Sequence, residues 1–127
     1  MKLIYKVWFE SGGARAFGEG PYRLLKGVEL TGSLKESAAG LSMAYSQARR
    51  LIQCCERTLG FPLTLRKIGG ATGGSSVVTD EAVKLMREYE FVRTVMEDVM
   101  GKAYKKHFGE SIKIEFYTAP KRRRTKR

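Results

Sequence analysis

Ser33 to Thr79, SLKESAAGLSMAYSQARRLIQCCERTLGFPLTLRKIGGATGGSSVVT, is the stretch that decides the fold. It opens with an S-x-x-E capping box, in which the Ser33 hydroxyl accepts the N3 amide proton and the Glu36 side chain returns to the cap amide. A short helix follows, and a second helical pattern over residues 42–59 stops at Gly60, a typical C′ glycine. Two helices joined by so few residues must cross steeply, which predicts a helix-turn-helix.

The second helix divides into two faces at about 3.6 residues per turn. One face is apolar and is predicted to be buried: Ala44, Ala48, Leu51, Ile52, Cys55 and Leu59. The opposite face and its flanks carry Met43, Ser46, Gln47, Arg49, Arg50, Gln53 and Arg57. Arginine pairs with guanine O6 and N7 and glutamine with adenine N6 and N7, so this face is predicted to contact base edges. A solvated face on an ordinary surface helix is the alternative.

The segment after this helix predicts a β-hairpin over residues 63–78. Residues 63–68 read as a strand, residues 69–76 form a glycine- and serine-rich tip, and Val77-Val78 begins the return strand. A hairpin directly after a helix-turn-helix is a wing, and its glycines let backbone amides approach a phosphate without an intervening Cβ. A nucleotide-binding loop is the competing interpretation, but the tip lacks the G-x-x-x-x-G-K-[ST] pattern and no helix starts at its end.

These elements predict an α+β fold class, a winged helix-turn-helix with an N-terminal β-hairpin and a long C-terminal dimerisation helix. Double-stranded DNA is the predicted partner, bound in the major groove by helix 42–59 and along flanking backbone by wing 63–78. The predicted DNA-binding residues are Ser33, Ser42, Met43, Tyr45, Ser46, Gln47, Arg49, Arg50, Arg66, Lys67, Gly69, Gly70, Thr72, Gly73, Gly74 and Ser75. A basic module that binds RNA or a partner protein with the same fold is the alternative function.

Residues 1–19 are predicted to form the N-terminal hairpin, because the β-rich run from Leu3 to Phe9 is followed by a Ser11-Gly12-Gly13 turn. Gly20-Pro21 is predicted to begin the first helix, with Pro21 at the N1 position, where its missing N–H costs nothing. Residues 20–79 are therefore assigned to the winged helix-turn-helix.

Residues 80–108 predict one long helix, capped by Thr79 and with Asp80 and Glu81 in its first turn, where acids complement the helix dipole. Apolar residues recur along it at spacings of three and four. The apolar stripe they form is too long to be covered by the rest of so small a domain. The residues predicted to form a homodimer interface are Leu85, Tyr89, Val92, Met96 and Val99. A dimer places two recognition helices on successive major-groove faces. The alternative is that this helix only covers its own winged domain.

Residues 109–127 are predicted to hold a short strand and a basic tail. Ile112, Ile114 and Phe116 alternate with polar residues, and this strand is expected to join the N-terminal hairpin, within one chain or across a dimer. Lys121 to Arg127 is expected to be disordered without DNA and to add salt-sensitive affinity for phosphates.

The formal net charge of the 127 residues is +11, which calls for a partner of opposite sign. Six of the 24 basic residues lie in the last seven positions, and +11 less these six leaves +5 for the rest. Nucleic acid is the first prediction and an anionic membrane surface the second. No apolar run approaches the ~20 residues of a membrane span and the start lacks a signal-peptide core, so a cytoplasmic, nucleoid-associated location is predicted.

Neither catalysis nor metal or cofactor binding is predicted. The chain has one histidine, His107, and neither a G-x-S-x-G nor an H-E-x-x-H motif. Adjacent Cys54 and Cys55 on a helix would form a badly strained disulfide, and two cysteines with one distant histidine cannot supply a four-ligand zinc site. Cys55 is predicted to pack as a small hydrophobe, whereas the more exposed Cys54 has a thiol sensor as its alternative.

The helix and turn residues are similar to the winged helix-turn-helix of LysR-type bacterial regulators: Ser33-Leu34, Ala38-Ala39, Leu41, Tyr45, Ala48, Leu51-Ile52, Glu56, Leu59-Gly60, Leu63 and Arg66. The wing Gly69-Gly70-x-x-Gly73-Gly74, followed by Val78-Thr79, resembles the N-terminal DNA-binding domain of the ModE family of molybdate-responsive transcriptional regulators. The resemblance covers roughly residues 24–95 and implies DNA binding and transcription regulation.

The sequence departs from the ModE pattern at several positions. Ala71 or Thr72 stands where the family has a lysine in the wing, and residues 44–49 read Ala-Tyr-Ser-Gln-Ala-Arg where the family has Ser-Tyr-Lys-Ser-Ala-Trp. Only Tyr45 and Ala48 carry over there, so the resemblance does not imply the operator sequence. Because the chain ends at Arg127 without the family's C-terminal oxyanion-binding domains, no internal oxyanion site and no molybdate sensing are expected.

Overall fold

The computed structural model describes residues 1–67 and 75–118, which form four helices and six strands. Along the chain these are β1 (Lys2–Tyr5), β2 (Phe9–Ser11), β3 (Ala14–Phe17), α1 (Glu19–Thr31), α2 (Leu34–Gly40), α3 (Tyr45–Leu59), β4 (Thr64–Lys67), β5 (Ser75–Val78), α4 (Asp80–Phe108) and β6 (Lys113–Phe116). Two predicted features lie outside the described residues: the tail from Lys121 to Arg127, and the wing-tip positions Gly69, Gly70, Thr72, Gly73 and Gly74.

The order α1, α2, α3 and then a strand pair is that of a winged helix-turn-helix, so the predicted α+β fold class is confirmed. Strands β4 and β5 pair antiparallel, with Thr64 opposite Val78 and Lys67 opposite Ser75. Helix α1 begins at Glu19 after the N-cap Gly18, so Pro21 is its third residue and not the N1 residue that the sequence predicted.

Contacts divide the chain into two compact units, a division that differs from the four segments predicted from sequence. The first unit is Val7–Val92. The second combines Met1–Lys6 with the described residues from Arg93 onward.

Tyr89 lies at the centre of the core of the first unit and is fully buried. Its ring centroid is 5.8 Å from that of Phe9, 5.6 Å from that of Phe17 and 5.2 Å from that of Tyr22. Its hydroxyl oxygen lies 3.1 Å from the Val7 carbonyl oxygen. The assignment of Tyr89 to a dimer interface was therefore wrong, because the N-terminal hairpin and α1 cover this side of α4.

Leu85, another predicted interface residue, is half-buried and packs against the same core. Besides Phe17 and Tyr89, the buried members of this core are Leu24, Leu25, Ala38, Ala48, Ile52, Cys55 and Leu63, from α1, α2, α3 and the start of the wing, and Ala82 and Met86 of α4. Removing these apolar side chains from water is the main force that holds the three helices together.

Helices α1 and α2 cross in close contact at Gly27. An ideal Cβ on Gly27 would lie 2.0 Å from Ser37 Oγ and 2.6 Å from Ser37 Cβ. Ser37 is buried, and its hydroxyl donates to the Leu24 carbonyl at 2.6 Å. The crossing therefore depends on the absence of a side chain at Gly27.

The capping box at the start of α2 forms only in part. The Ser33 hydroxyl accepts from the Glu36 amide at 3.1 Å, as predicted. The Ser33 amide, however, donates to the Thr31 hydroxyl at 3.2 Å. The Ser33 amide was predicted to donate to the Glu36 side chain. The Thr31 hydroxyl, at the end of α1, accepts this hydrogen bond instead.

The turn between α2 and α3 is a Schellman motif rather than the first turn of the next helix. The Ser42 amide donates to the Ala39 carbonyl at 3.0 Å and the Met43 amide to the Ala38 carbonyl at 2.9 Å. Helix α3 therefore begins at Tyr45 and not at residue 42, which corrects the predicted span of 42–59. Ser42 has φ of 55°, in the left-handed region that normally favours glycine.

We expect Ser42→Gly to raise the free energy of unfolding by about 1 kcal/mol, because left-handed backbone costs a non-glycine residue roughly that much. Thermal and urea unfolding of the full chain would measure the change. Ser46→Gly is the matched control, and inside α3 it should lower stability by about 0.5–1 kcal/mol. A loss of stability at Ser42 as large as that at Ser46 would contradict the strain at this turn.

The predicted cap at Thr79 forms, and Glu56 ties the end of α3 to the wing. The Thr79 hydroxyl accepts from the Ala82 amide at 3.1 Å and donates to the Pro62 carbonyl at 2.8 Å. The Glu56 carboxylate accepts from the Leu63 amide at 2.7 Å. These bonds set where β4 starts and where α4 leaves the wing.

The N-terminal hairpin is confirmed as β2–β3, turning at Gly12 and Gly13 with φ of 57° and 79°. Two consecutive positive φ values are typical of a two-residue hairpin loop, and glycine adopts them without steric cost. The predicted run from Leu3 to Phe9 is broken, since β1 ends at Tyr5.

Strand β6 forms as predicted, but it pairs in parallel with β1 of the same chain rather than with the β2–β3 hairpin. Within this second unit, Phe116 receives the Arg93 guanidinium over its ring at 4.2 Å and the Tyr5 ring at 5.3 Å between centroids. The Tyr5 hydroxyl donates to Glu97, and partial burial raises the pKa of this phenol.

Candidate nucleic-acid interface

Helix α3 presents one polar side, as the sequence predicts. Ala48, Ile52 and Cys55 are buried in the core. Ser46, Gln47, Arg49, Arg50 and Gln53 are exposed on the opposite side and its flanks. The spacing of apolar residues decides this orientation, since burial of one face leaves the other in solvent. Ala44 is the exception, because it precedes the helix and is exposed.

An open groove of about 440 Å³ joins the start of α2, the start of α3 and the base of the wing. Its lining includes Ser33, Lys35, Glu36, Tyr45, Arg66, Ser75 and Ser76. The Ser76 amide donates to the Gly32 carbonyl at 2.7 Å and holds the wing beside the linker from α1 to α2. The fold thus brings four predicted DNA contacts together, Ser33, Tyr45, Arg66 and Ser75, although they are far apart in sequence.

Six groove residues were not among the predicted contacts: Thr31, Gly32, Leu34, Lys35, Glu36 and Ser76. The sequence could have indicated Lys35, because this lysine lies inside the capping-box motif and therefore in the first turn of α2. Ser76 carried no such signal, because its place depends on the register of β5 against β4.

Two of the predicted DNA contacts, Met43 and Ser33, also make contacts within the protein, and these limit their contact with DNA. Met43 is half-buried and packs against the core, so only part of its side chain is open to DNA and its contact stays a prediction. The Ser33 hydroxyl already accepts the Glu36 amide hydrogen, although its own hydrogen can still be donated to a phosphate.

Arg66 and Lys67 project to opposite faces of the wing because side chains alternate along a strand. Arg66 is paired with Ser76 and lines the groove. Lys67 lies on the other face with Leu65, which is opposite Val77; both of these apolar side chains are exposed.

The cations of this surface are available to an external anion. Arg49, Arg50 and Arg66 are exposed, and none forms an ion pair with another residue in the ranges 1–67 and 75–118. The Glu56 carboxylate is engaged by the Leu63 amide. Positive charge without an internal partner favours binding of phosphates, with release of their counterions.

Cys55 is buried in the core, as predicted, and burial raises the pKa of its thiol to about 11. This thiol therefore stays protonated near neutral pH and packs as an apolar group. Cys54 is exposed, and its Sγ accepts from Arg57 Nη2 at 3.1 Å.

The described part of the chain has no cluster of three or more His, Cys, Asp or Glu side chains placed to hold a metal ion. None of its helices combines the length and the apolar character that crossing a membrane requires.

No protein-family model matches the chain. Over 75 residues it is 28% identical to the transcriptional regulator ModE of Haemophilus influenzae, a match that covers 59% of this chain and 29% of ModE. The chain therefore spans less than a third of that relative's length. Among solved structures, the crystal structure of ArgP from Mycobacterium tuberculosis matches with a TM-score of 0.49 at 14% identity, covering 80% of this chain and 43% of ArgP.

Proposed function

We propose that this chain is the DNA-binding part of a transcriptional regulator and that α3 enters the major groove of duplex DNA. The observation that carries the proposal is the exposed polar side of α3, with Gln47, Arg49 and Arg50, on a helix whose first residue, Tyr45, lines a groove together with Arg66. The similarity to ModE over 75 residues supports the same function. A DNA partner also supports the predicted cytoplasmic location.

The chemistry of the side chains indicates which of them contact bases and which contact phosphates. Arg50 and Gln47 can each make two hydrogen bonds to a base edge, which discriminates among base pairs. Arg66 and Lys35 at the groove suit phosphate oxygens, which position the protein on the duplex but do not read its sequence. The wing tip, including Gly69 to Gly74, remains a prediction for contact with flanking backbone.

A closer relationship to ModE function is a further proposal. Tyr45 and Ala48 occupy the positions that match the family on the recognition helix, whereas Ser46, Gln47 and Arg49 differ. Because those three positions face outward, we propose that this chain binds an operator of its own. We expect no binding of molybdate, which calorimetric titration of the chain with molybdate would test.

Arg50→Ala is expected to relax sequence preference rather than abolish binding. Selection of bound fragments from random duplex DNA should yield a preferred site for the unaltered chain. Loss of a bidentate arginine contact should then cut discrimination at one base pair by about 1–3 kcal/mol, or roughly ten- to a hundredfold. Gel-shift titrations on matched and mismatched sites would measure this.

The control for Arg50→Ala is Arg23→Ala, on the exposed side of α1 and paired with Glu19 at 3.1 Å. It should leave the ratio between sites unchanged. If Arg50→Ala also preserves that ratio, α3 does not contact bases through this residue. Equal affinity for RNA and DNA without any preferred sequence would favour the alternative of a basic interaction module.

We also propose that the chain forms a homodimer through α4. Among the predicted interface residues, Val99 is 57% exposed, and Val92 and Met96 are half-buried. Phe91 and Val95, which were not predicted, are exposed on the same helix. Pairing of two copies would remove this apolar surface from water and bring two recognition helices to one duplex.

A further inference from the structure

A groove in the unit Val7–Val92 is lined by both apolar and charged side chains. Its volume is about 550 Å³, and it is lined by Phe9 of the hairpin and by Lys84, Arg87, Glu88, Phe91 and Val92 of α4. Phe91 is one of these lining residues and is 69% exposed. An aromatic ring this exposed beside an open apolar groove is a common mark of a protein–protein contact.

We propose that a second copy of this chain docks here, with Phe91 of each copy entering the groove of the other. This inference rests on the homodimer of the proposed function and names the surface at its centre. The hairpin residue Phe9 belongs to that surface, so β2–β3 would contribute to dimerisation as well as to the core.

The shape of the patch supports a second copy as the occupant. A two-fold contact uses the same patch on both partners, so the patch must complement itself. Here Phe91 is both exposed and part of the lining of the groove that would receive the partner's Phe91, so ring and groove lie on the same stretch of surface. One such contact therefore buries two phenylalanine rings and fills two grooves.

The charged residues that line the groove also favour a second copy of this chain. Lys84 and Arg87 are basic and Glu88 is acidic, and neither Lys84 nor Glu88 forms an ion pair with any residue that the structure describes. Two copies related by a two-fold axis can place Glu88 of each against a basic side chain of the other. A polyanion would gain from Lys84 and Arg87 but would be repelled by Glu88, so nucleic acid fits this groove less well.

This surface differs from the stripe predicted from sequence. Tyr89 and Leu85 of that stripe pack against the core, and Val92 is the member of it that lines the groove. The proposed dimer contact therefore lies on the part of the α4 surface around Phe91 and not along the predicted stripe.

Sedimentation equilibrium of the full chain tests the proposal. The unaltered chain should dimerise, and Phe91→Ser should raise the dimer dissociation constant by about a hundredfold, because the residue is lost from both partners. The matched control is Leu30→Ser on α1, which removes an 86% exposed leucine outside the groove and should leave the constant unchanged. Since Phe91 is exposed, its replacement should not shift the thermal unfolding of the monomer.

A charge exchange gives a second, independent measurement. Lys84→Glu alone and Glu88→Lys alone should each weaken the dimer about tenfold, while the double exchange should recover most of the loss. A dimeric chain that is insensitive to Phe91→Ser and to both charge variants would overturn this inference but not the homodimer. A chain that stays monomeric at all concentrations would overturn the homodimer itself, whereas DNA binding is measured separately by gel shift.

Discussion

Gly27→Ala is expected to lower the free energy of unfolding by about 3 kcal/mol, at the upper end of what overpacking usually costs. The added methyl would lie 2.0 Å from Ser37 Oγ and 3.1 Å from Ser37 Cα. A rotamer change at Ser37 does not relieve this overlap, because backbone as well as side chain is too close. Helices α1 and α2 must then separate, and the packing of α3 that depends on them loosens. Urea unfolding of the full chain would measure the effect.

Gly40→Ala is the control for this prediction. Gly40 is also a helical glycine with negative φ, but a Cβ there would meet nothing within 4 Å. Alanine at this position should raise stability by about 0.5–1 kcal/mol, through its higher helix propensity. The double variant Gly27→Ala with Ser37→Gly should be more stable than the sum of the two single losses, since it removes the two nearest of the three crowded atoms, Ser37 Oγ and Cβ. A Gly27→Ala protein as stable as the unaltered chain would refute the close crossing.

Tyr89→Ala is expected to cost about 3–5 kcal/mol, comparable to removal of other large aromatic residues from a core. The fully buried ring contacts Phe9, Phe17 and Tyr22 edge-on or tilted. Marginal stability of a domain this size makes such a loss enough to unfold much of the population. Circular dichroism during urea unfolding would measure it.

Two further variants separate the causes at Tyr89. Tyr89→Phe keeps the ring but loses the hydroxyl, which lies 3.1 Å from both the Val7 carbonyl and Glu19 Oε2, and should cost about 1 kcal/mol. Val99→Ala on the same helix removes an exposed side chain and should change monomer stability by about 0.5 kcal/mol at most. If Tyr89→Ala weakened dimerisation without lowering monomer stability, the interface predicted from sequence would be right after all.

The difference between the predicted and observed surfaces of α4 has one physical reason. A periodic apolar stripe shows that one side of a helix must be covered, but it does not show what covers it. In this chain the hairpin supplies Phe9 and Phe17, and α1 supplies Tyr22, all against Tyr89. The alternative considered from sequence, that α4 covers its own winged domain, is thus correct for the part of α4 around Leu85 and Tyr89.

The turn before α3 is a second place where the sequence pattern did not predict the structure, here over only a few residues. The sequence marks Ser42 only as a break between helical patterns, and serine is not the residue expected at a left-handed position. Helix α2 nevertheless ends in a Schellman motif there, because Met43 packs on the core and draws the turn inward. Tertiary packing therefore moved the start of α3 from residue 42 to Tyr45.

Local patterns in the sequence determined the helices and the wing strands, the polar side of α3 with Gln47, Arg49 and Arg50, and the caps at Ser33 and Thr79. These depend on neighbours within about one helical turn or along one strand, so the chain needs no distant contact to specify them. Only the tertiary structure decided which side of α4 is covered, that β1 pairs with β6, and that Arg66 shares a groove with Tyr45. Each of these joins residues far apart in sequence, where the outcome depends on which surfaces fit once the core has formed.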